Sequence, residues 1–225
     1  MVANAVAAPT GLRESKKART RLAISDIATG MFIERGFEHV TVAEIAAAAD
    51  VSVKTVFNYF ATKEDLFFDR AAEIIDLLVR TISGRPPGTT ISEAFRRLAA
   101  DNRMPFPGAT WNAMRDAEVY EGMRRFVATE QASPALRARR LVVSEEWVSP
   151  LARAIASDLG RPDDDPAARA FAAMLLAGYA ERHRVITAAI LERRSPRTVE
   201  RRVRASVDET FGRIARAFAD VDRPA

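Results

Sequence analysis

The chain has 225 residues and no cysteine, which excludes disulfide bonds, thiolate metal sites and cysteine nucleophiles. Hydrophobic residues make up 48% of the chain and charged residues 28%, the balance of a soluble globular protein rather than a disordered one. No apolar run approaches the ~20 residues that a membrane span needs, so we expect no membrane partner. The absence of cysteine fits a reducing cytoplasm, where we expect the protein to be. A net charge of +4 only weakly favours a polyanionic partner.

The chain begins with a short segment that lacks the basic start and sustained apolar run of a signal peptide. We expect residues 1–14 to form a disordered lead-in. Apolar residues at a spacing near 3.6 then predict a helix from about Lys16 to Arg35, ended by Gly36. Five basic residues near its start fit either a solvated helix surface or contacts to phosphate: Arg13, Lys16, Lys17, Arg19 and Arg21.

The next stretch predicts two short helices separated by a tight turn. Thr41 and Glu44 have the spacing of a capping box, which opens the first short helix. A turn at Asp50 follows, and Ser52 caps a second short helix from about Val53 to Phe60. Two short helices joined by such a turn are what a helix-turn-helix requires.

Later helices are marked by their capping residues and by prolines. Thr62 caps a helix that we expect to run without interruption from Lys63 to about Ser83. Three sites place a capping side chain before a proline at the first helical position: Ser133-Pro134, Asp165-Pro166 and Ser195-Pro196. Ser149-Pro150 falls inside the helix opened at Pro134 and predicts a kink or a split there. The pattern indicates an all-α fold of about nine helices with no strand.

The segment from Thr20 to Leu66 resembles the DNA-binding head of the tetracycline-repressor (TetR) family. The matching residues are Phe32, Gly36-Phe37, Thr41-Val42, Ile45-Ala46, Val51-Ser52, Thr55, Tyr59-Phe60, Lys63 and Leu66. This covers roughly the first third of the chain, and the remainder has no motif of its own. The resemblance implies a three-helix helix-turn-helix DNA-binding head in residues 15–62 and an all-helical ligand-binding and dimerisation domain in residues 63–225. It also implies a transcriptional regulator, more often a repressor than an activator.

The second short helix of the motif is therefore expected to lie in the major groove of DNA, where an α-helix fits and base edges carry a distinct hydrogen-bonding code. Val53 and Lys54, at its N-terminal end, are best placed to reach bases, and Asn58 could reach a base edge or a phosphate. The family's pattern places five further residues mostly on phosphates, where contacts position the protein rather than specify sequence: Thr41, Ser52, Thr55, Tyr59 and Lys63.

Three residues depart from the family's usual pattern. Asp50 occupies a turn position where glycine is usual, and aspartate tolerates a left-handed backbone better than most residues. Lys54 replaces a frequent glycine and should alter sequence preference and steepen the salt dependence. Phe57 lacks a hydroxyl often present there, so we expect one phosphate contact to be missing.

Nine basic and nine acidic residues lie between Met1 and Arg70, so this part of the chain is not basic overall. Non-specific binding through charge should be modest, which favours a regulator over a nucleoid-packaging protein.

The C-terminal part carries large apolar residues that could be plain core or could line a pocket for a small, largely apolar effector. They are Phe106, Trp111, Met114, Trp147, Met174 and Tyr179, with His183 as a polar candidate. Two last helices are predicted from Pro166 to about Arg193 and from Pro196 to Ala219. Their apolar stripes fit either packing inside the subunit or a four-helix dimer interface. One recognition helix reads only a few base pairs, so we expect a homodimer.

No catalytic or metal-binding pattern is visible. The two histidines, His39 and His183, have no paired spacing and no cysteine partner, so we expect neither a metal site nor a cofactor. A G-x-S-x-G nucleophile elbow is absent, and we do not expect an enzyme. The expected partners are double-stranded operator DNA, a second copy of the chain and a small-molecule effector. The alternative is a small-molecule binding or interaction protein of the same fold without specific DNA recognition.

Overall fold

The computed structural model describes residues 11–101 and 110–223. Within them the chain forms eleven α-helices and two short 3-10 helices without a β-strand, which confirms the predicted all-α class. The α-helices are α1 (Leu12–Arg35), α2 (Val42–Ala48), α3 (Val53–Tyr59), α4 (Lys63–Phe67), α5 (Ala71–Ser83), α6 (Ile91–Ala100), α7 (Ala117–Ala132), α8 (Pro134–Glu146), α9 (Val148–Asp158), α10 (Pro166–Leu191) and α11 (Pro196–Ala217). The 3-10 helices are Phe37–His39 and Ala113–Arg115. The number exceeds the expected nine because two predicted helices are each divided.

The chain divides into two compact units, which we call the N-terminal unit (Met1–Asp69) and the C-terminal unit (Arg70–Ala225). The boundary falls after α4, whereas the sequence placed it before that helix. The reason is packing: the buried ring of Phe67, on α4, lies 6.4 Å from the ring of Phe32 on α1. Helix α4 is therefore part of the N-terminal unit.

Helix α1 begins at Leu12, earlier than the predicted Lys16, and residues 1–10 lie outside the described part of the chain. It ends at Gly36, as expected. The backbone of Gly36 has φ 85°, a region that favours glycine, and its N–H donates to the carbonyl of Phe32 at 2.9 Å. Directly after this stop, the ring of Phe37 packs 4.9 Å from that of Phe32.

Arg21 binds inside the N-terminal unit. Its guanidinium lies 4.8 Å from the centre of the Phe60 ring, within the range of a cation–π contact, and its Nη2 donates to the carbonyl oxygen of Asp69 at 2.7 Å. Lys16, Lys17 and Arg19 are exposed or nearly so. Arg21 therefore binds within the unit, and the solvated-surface and phosphate interpretations stay open for Lys16, Lys17 and Arg19. The side chain of Arg13 lies outside the described part of the chain.

The prediction of one uninterrupted helix from Lys63 to Ser83 is wrong. Residues 68–70 form a turn, so that α4 ends at Phe67 and α5 begins at Ala71. In a continuous helix the Asp69 carbonyl would accept from the backbone N–H four residues later; here it accepts from the Arg21 side chain. Neither glycine nor proline lies in this stretch, so no local feature of the sequence marks the break.

The predicted starts of the C-terminal helices are confirmed. Ser133, Asp165 and Ser195 each accept a hydrogen bond from a backbone N–H three residues later and precede a proline in the first turn. The expected split near Ser149-Pro150 occurs two residues earlier, at Trp147, which lies between α8 and α9.

The apolar stripes of the last two helices face the interior of the C-terminal unit. Their buried members are Phe171, Leu175, Ile186, Ile190, Val199, Val203, Val207, Phe211 and Ile214. Gly178 allows close contact between α10 and α11, because a Cβ there would lie 3.1 Å from side-chain atoms of Phe211 and Ile214. These nine residues therefore pack within the subunit, whereas Met174 on α10 is 43% exposed. A four-helix dimer interface formed by the remaining exposed surface stays a prediction.

Asp50 sets the turn between α2 and α3. It has φ 52°, the left-handed conformation expected at this position. Its N–H donates to the carbonyl of Ala47 at 3.2 Å, and the N–H of Val51 donates to that of Ala46 at 3.0 Å. This is the hydrogen-bond pair of a Schellman motif, which satisfies the last carbonyls of α2.

Replacing Asp50 by a β-branched residue should destabilise this turn. We expect Asp50→Val to lower the free energy of unfolding by about 1–2 kcal/mol, because a left-handed backbone is strained for such a side chain. Asp50→Gly, which relieves the strain, should be at least as stable as the parent, and Asp50→Asn should match it. Urea denaturation of the three variants tests this, and unchanged stability of Asp50→Val would contradict the turn geometry.

Candidate nucleic-acid interface

Helix α3 has one buried side and one exposed side. Val56 and Phe60, the C-cap residue of the helix, are only 1% and 2% exposed. The opposite side carries Val53, Lys54, Phe57 and Asn58, all exposed. Their spacing of one, four and five residues places them on one face of a helix. The structure thus brings together three residues predicted to contact DNA, Val53, Lys54 and Asn58.

The start of α3 is fixed by its cap. The hydroxyl of Ser52 accepts from the backbone N–H of Thr55 at 3.0 Å, and the two side-chain oxygens lie 2.8 Å apart. Ser52 is exposed and Thr55 is partly buried. The two hydroxyls predicted to contact phosphates therefore also hold the leading end of the helix in place.

Thr41 is engaged with a carboxylate at the start of α2. Its backbone N–H and its hydroxyl donate to Glu44 Oε2 at 2.8 and 2.7 Å, and Arg35 Nη2 donates to Glu44 Oε1 at 2.6 Å. The Arg35 guanidinium and, after it, the Thr41 donors lower the pKa of Glu44 to about 2. An ionised carboxylate thus occupies the donors through which Thr41 was expected to contact phosphate.

Lys63, another predicted phosphate contact, extends over the aromatic cluster of the N-terminal unit. Its Nζ lies 4.1 Å from the centre of the Phe37 ring and 5.8 Å from that of Phe32. Partial burial lowers the pKa of its ammonium group. Lys63 and Tyr59 are both partly exposed, so both can reach a solvent-side ligand.

The predicted pocket residues separate into three groups. Trp111 and Met114 are buried in the core of the C-terminal unit, and Trp147 and Tyr179 are partly buried against the same core. Met174 is 43% exposed on α10, so it does not line the interior with them. Phe106 lies outside the described residues.

His183, the polar candidate, lies in a buried setting. Its Nε2 is 3.3 Å from Thr187 Oγ1 and 3.7 Å from Oε2 of Glu130, which is fully buried. Burial, and after it the positive charges of Arg140 and Arg182, lower the pKa of His183 to about 3. His183 is therefore neutral at pH 7.

Phe57 is also exposed on α3, and the sequence had predicted only a missing hydroxyl at this position. Half of its surface is exposed, at the centre of the exposed face. The signal was present in the helical spacing, because Phe57 directly follows the buried Val56 and precedes Phe60 by three residues. An exposed aromatic side chain between Lys54 and Asn58 can make apolar contact with the methyl group of thymine.

In the described part of the chain, no helix is both long and apolar enough to cross a membrane. The family model for bacterial regulatory proteins of the tetR family matches residues 24–69, which include the whole of α2, α3 and α4. The HTH-type transcriptional regulator TcmR of Streptomyces glaucescens is 33% identical over 159 residues, covering 69% of this chain and 67% of TcmR. The chain belongs to the TetR family.

A second relative of this TetR-family chain is the HTH-type transcriptional regulator LuxR of Vibrio harveyi. It is 41% identical over 76 residues, which cover 31% of this chain and 35% of LuxR. Among solved structures, a TetR transcriptional regulator from Rhodococcus sp. RHA1 aligns with 89% of this chain and 97% of its own, at 17% identity and a TM-score of 0.47. The family assignment confirms the predicted resemblance, and this chain is a transcriptional regulator with a DNA-binding helix-turn-helix.

The low pKa of Glu44 predicts how the N-terminal unit responds to acid. The folded-state pKa of about 2 lies below the ordinary value of 4.5, so this carboxylate stabilises the fold above pH 4.5. The contribution is lost as the pH falls from about 4.5 to about 2. Glu44→Gln should therefore have a lower Tm than the parent at pH 7, and the difference should shrink over that interval.

The matched control is Glu34→Gln, an exposed residue of α1. Its Tm should follow that of the parent from pH 7 to pH 2. A difference between Glu44→Gln and the parent that stays constant over this range would show that the Glu44 charge does not stabilise the start of α2.

Proposed function

We propose that this chain is a homodimeric, cytoplasmic TetR-family repressor that reads double-stranded operator DNA through α3 and releases it when a small, largely apolar effector binds the C-terminal unit. The exposed face of α3, with Val53, Lys54, Phe57 and Asn58 together, carries the proposal. A buried opposite side holds these four residues in fixed positions, which reading a base sequence requires.

The chemistry of this face suits the edges of base pairs in the major groove. A lysine can donate to the O6 and N7 acceptors of guanine, and an asparagine can pair with the N6 and N7 of adenine. Val53 and Phe57 can contact the methyl group of thymine. We assign Lys54 and Asn58 to polar base contacts and the two apolar residues to thymine.

Contacts to phosphate would position this face. Ser52, Thr55, Tyr59 and Lys63 are the residues we assign to them, and each retains some exposure. Thr41 would contact phosphate only if Glu44 released its hydroxyl, so we assign it the weakest contribution.

The outer face of α10 supports the homodimer. Between Pro166 and Ala180 this helix has only one charged residue, Arg169. Its exposed positions beyond Arg169 are Ala170, Ala173, Met174, Ala177 and Ala180. A helix that is apolar on all sides is usually buried on all sides, and a second copy of the chain would bury this face about a two-fold axis. By comparison, the exposed surface of α11 is rich in arginine and therefore charged, which suits contact with solvent.

An effector site in the C-terminal unit is supported by its large apolar side chains. Trp111, Met114, Trp147 and Tyr179 pack in one core, and such residues with a few polar groups are typical of small-molecule sites. The turn at residues 68–70, between the last helix of the N-terminal unit and α5, is the segment through which a rearrangement of α5 would act on the DNA-binding unit.

Two substitutions test the DNA-binding face. We expect Lys54→Ala and Tyr59→Ala each to weaken binding to the operator about tenfold or more. A base contact contributes about 1–3 kcal/mol, and a hydrogen bond to a charged phosphate about 1.5–3 kcal/mol. Both variants should remain dimers. Gel shifts at two salt concentrations, with DNA from upstream of the protein's own coding region and with a scrambled duplex, measure the effect.

The exposed Arg201→Ala on α11 is the control and should bind operator as the parent does. The loss of affinity caused by Lys54→Ala should be larger on the operator than on the scrambled duplex. The loss of affinity caused by Tyr59→Ala should be similar on both duplexes. Parent-like binding by both variants would refute the site. Equal affinity of the parent for both duplexes at both salt concentrations would favour the alternative, a small-molecule binding protein without specific DNA recognition.

One substitution on α10 tests the dimer. Ala177→Glu places a charge on the proposed self-association face and should convert the dimer to a monomer, with loss of binding to a palindromic operator. Ala205→Glu, at an exposed alanine of α11, is the matched control and should leave the mass unchanged. Sedimentation equilibrium measures the mass, and a dimeric Ala177→Glu would place the interface elsewhere.

A further inference from the structure

Glu130 is a fully buried carboxylate in the C-terminal unit, near the C-terminal end of α7. Its Oε1 forms an ion pair with Nε of Arg140 on α8. Its Oε2 is buried and has no hydrogen-bond donor within reach in the part of the chain that the structure describes. His183 Nε2 on α10 lies 3.7 Å from Oε2, which is beyond hydrogen-bonding distance.

An unsatisfied oxygen of this kind is unfavourable in a folded protein. A buried acceptor that loses its partner costs the free energy of its desolvation, and the cost is larger for a charged group. Native proteins almost always satisfy such atoms with protein, water or a ligand. Oε2 of Glu130 therefore marks a position where a donor from outside the chain would be stabilised.

Apolar residues lie within one helical turn of Glu130 and of His183 on the same helices. Val127, one turn before Glu130 on α7, is fully buried, and Tyr179 and Ile186 lie one turn on either side of His183 on α10. Residues three or four apart share a helix face. One polar anchor among apolar side chains is the usual composition of a small-molecule site.

From this arrangement we infer that the effector is an uncharged molecule with an apolar body and an O–H or N–H group that donates to Oε2 of Glu130. The inference rests on the proposed control of this regulator by an effector and specifies the chemistry of that effector. It makes Glu130 the anchor, with His183 beside the donated proton.

Charge around the anchor disfavours both kinds of ion. An anionic group would be repelled by the Glu130 carboxylate. A cationic group would gain little, because Arg140 already pairs with that carboxylate and the positive charges of Arg140 and Arg182 both act at His183. A neutral hydroxyl or amide N–H satisfies Oε2 without adding charge to the interior.

Three probes of one shape distinguish these cases: 2-naphthol, 2-methoxynaphthalene and 2-naphthoate. We expect the full-length protein to bind 2-naphthol roughly tenfold or more tightly than the other two, as one hydrogen bond to a charged acceptor provides. In Glu130→Gln, which keeps the size of the side chain, this preference should fall to about threefold or less. Isothermal titration calorimetry measures the affinities. Thermal melts confirm that the variant is folded, and the exposed Glu145→Gln on α8 is the matched control.

Each other result overturns the inference. Equal affinity of the parent for 2-naphthol and 2-methoxynaphthalene would mean that Oε2 receives no donor from the ligand. An unchanged preference in Glu130→Gln would place the anchor elsewhere, and no binding of any probe would mean that a buried water satisfies the oxygen. Gel shifts on the same samples keep the two proposals separate. Specific operator binding by the parent without a probe tests the proposed regulator, whatever the role of Glu130.

Discussion

The burial of Val56 and Phe60 is the constraint on which the DNA-binding surface depends. Helix α3 has seven residues, far fewer than an isolated helix needs to be stable in water. It exists because its cap at Ser52 fixes one end while these two side chains anchor its inner face in the N-terminal unit. Arg21 strengthens that anchor from α1 through the Phe60 ring. The four outward residues can therefore be mobile in their side chains while the backbone that presents them stays fixed.

Features that depend on neighbouring residues could be predicted from the sequence. The capping box of Thr41 and Glu44 and the proline-marked helix starts involve side chains within three or four positions of the backbone groups they satisfy. The break at residues 68–70 could not be predicted in this way, because it accompanies a hydrogen bond from Arg21, 48 positions earlier. A tertiary contact forms at this break, and helical spacing along the sequence cannot predict such a contact.

The candidate sites show the same division. Spacing around Val56 was sufficient to place Val53, Lys54 and Asn58 on one face, and it would have placed Phe57 with them. It was not sufficient for α10 and α11, because an apolar stripe looks the same whether it packs within a subunit or between two. No rule based on spacing predicts the burial of Glu130. A glutamate on a polar helix is expected at the surface, and only the fold shows that Arg140 and His183 enclose it.

The Glu130–Arg140 pair is also hard to explain as a source of stability. Two buried charges lose hydration that their attraction only partly restores, and apolar residues of similar volume are often as stabilising or more so. Arg140 remains partly exposed while Glu130 is not, so the carboxylate bears most of that loss. A purely structural pair would need both carboxylate oxygens satisfied, and here Oε2 has no hydrogen-bond partner in the part of the chain that the structure describes. Binding accounts for this arrangement better than stability does, because a donor from a ligand supplies the missing hydrogen bond only when the site is occupied. A regulator needs such a difference in free energy between its empty and occupied states.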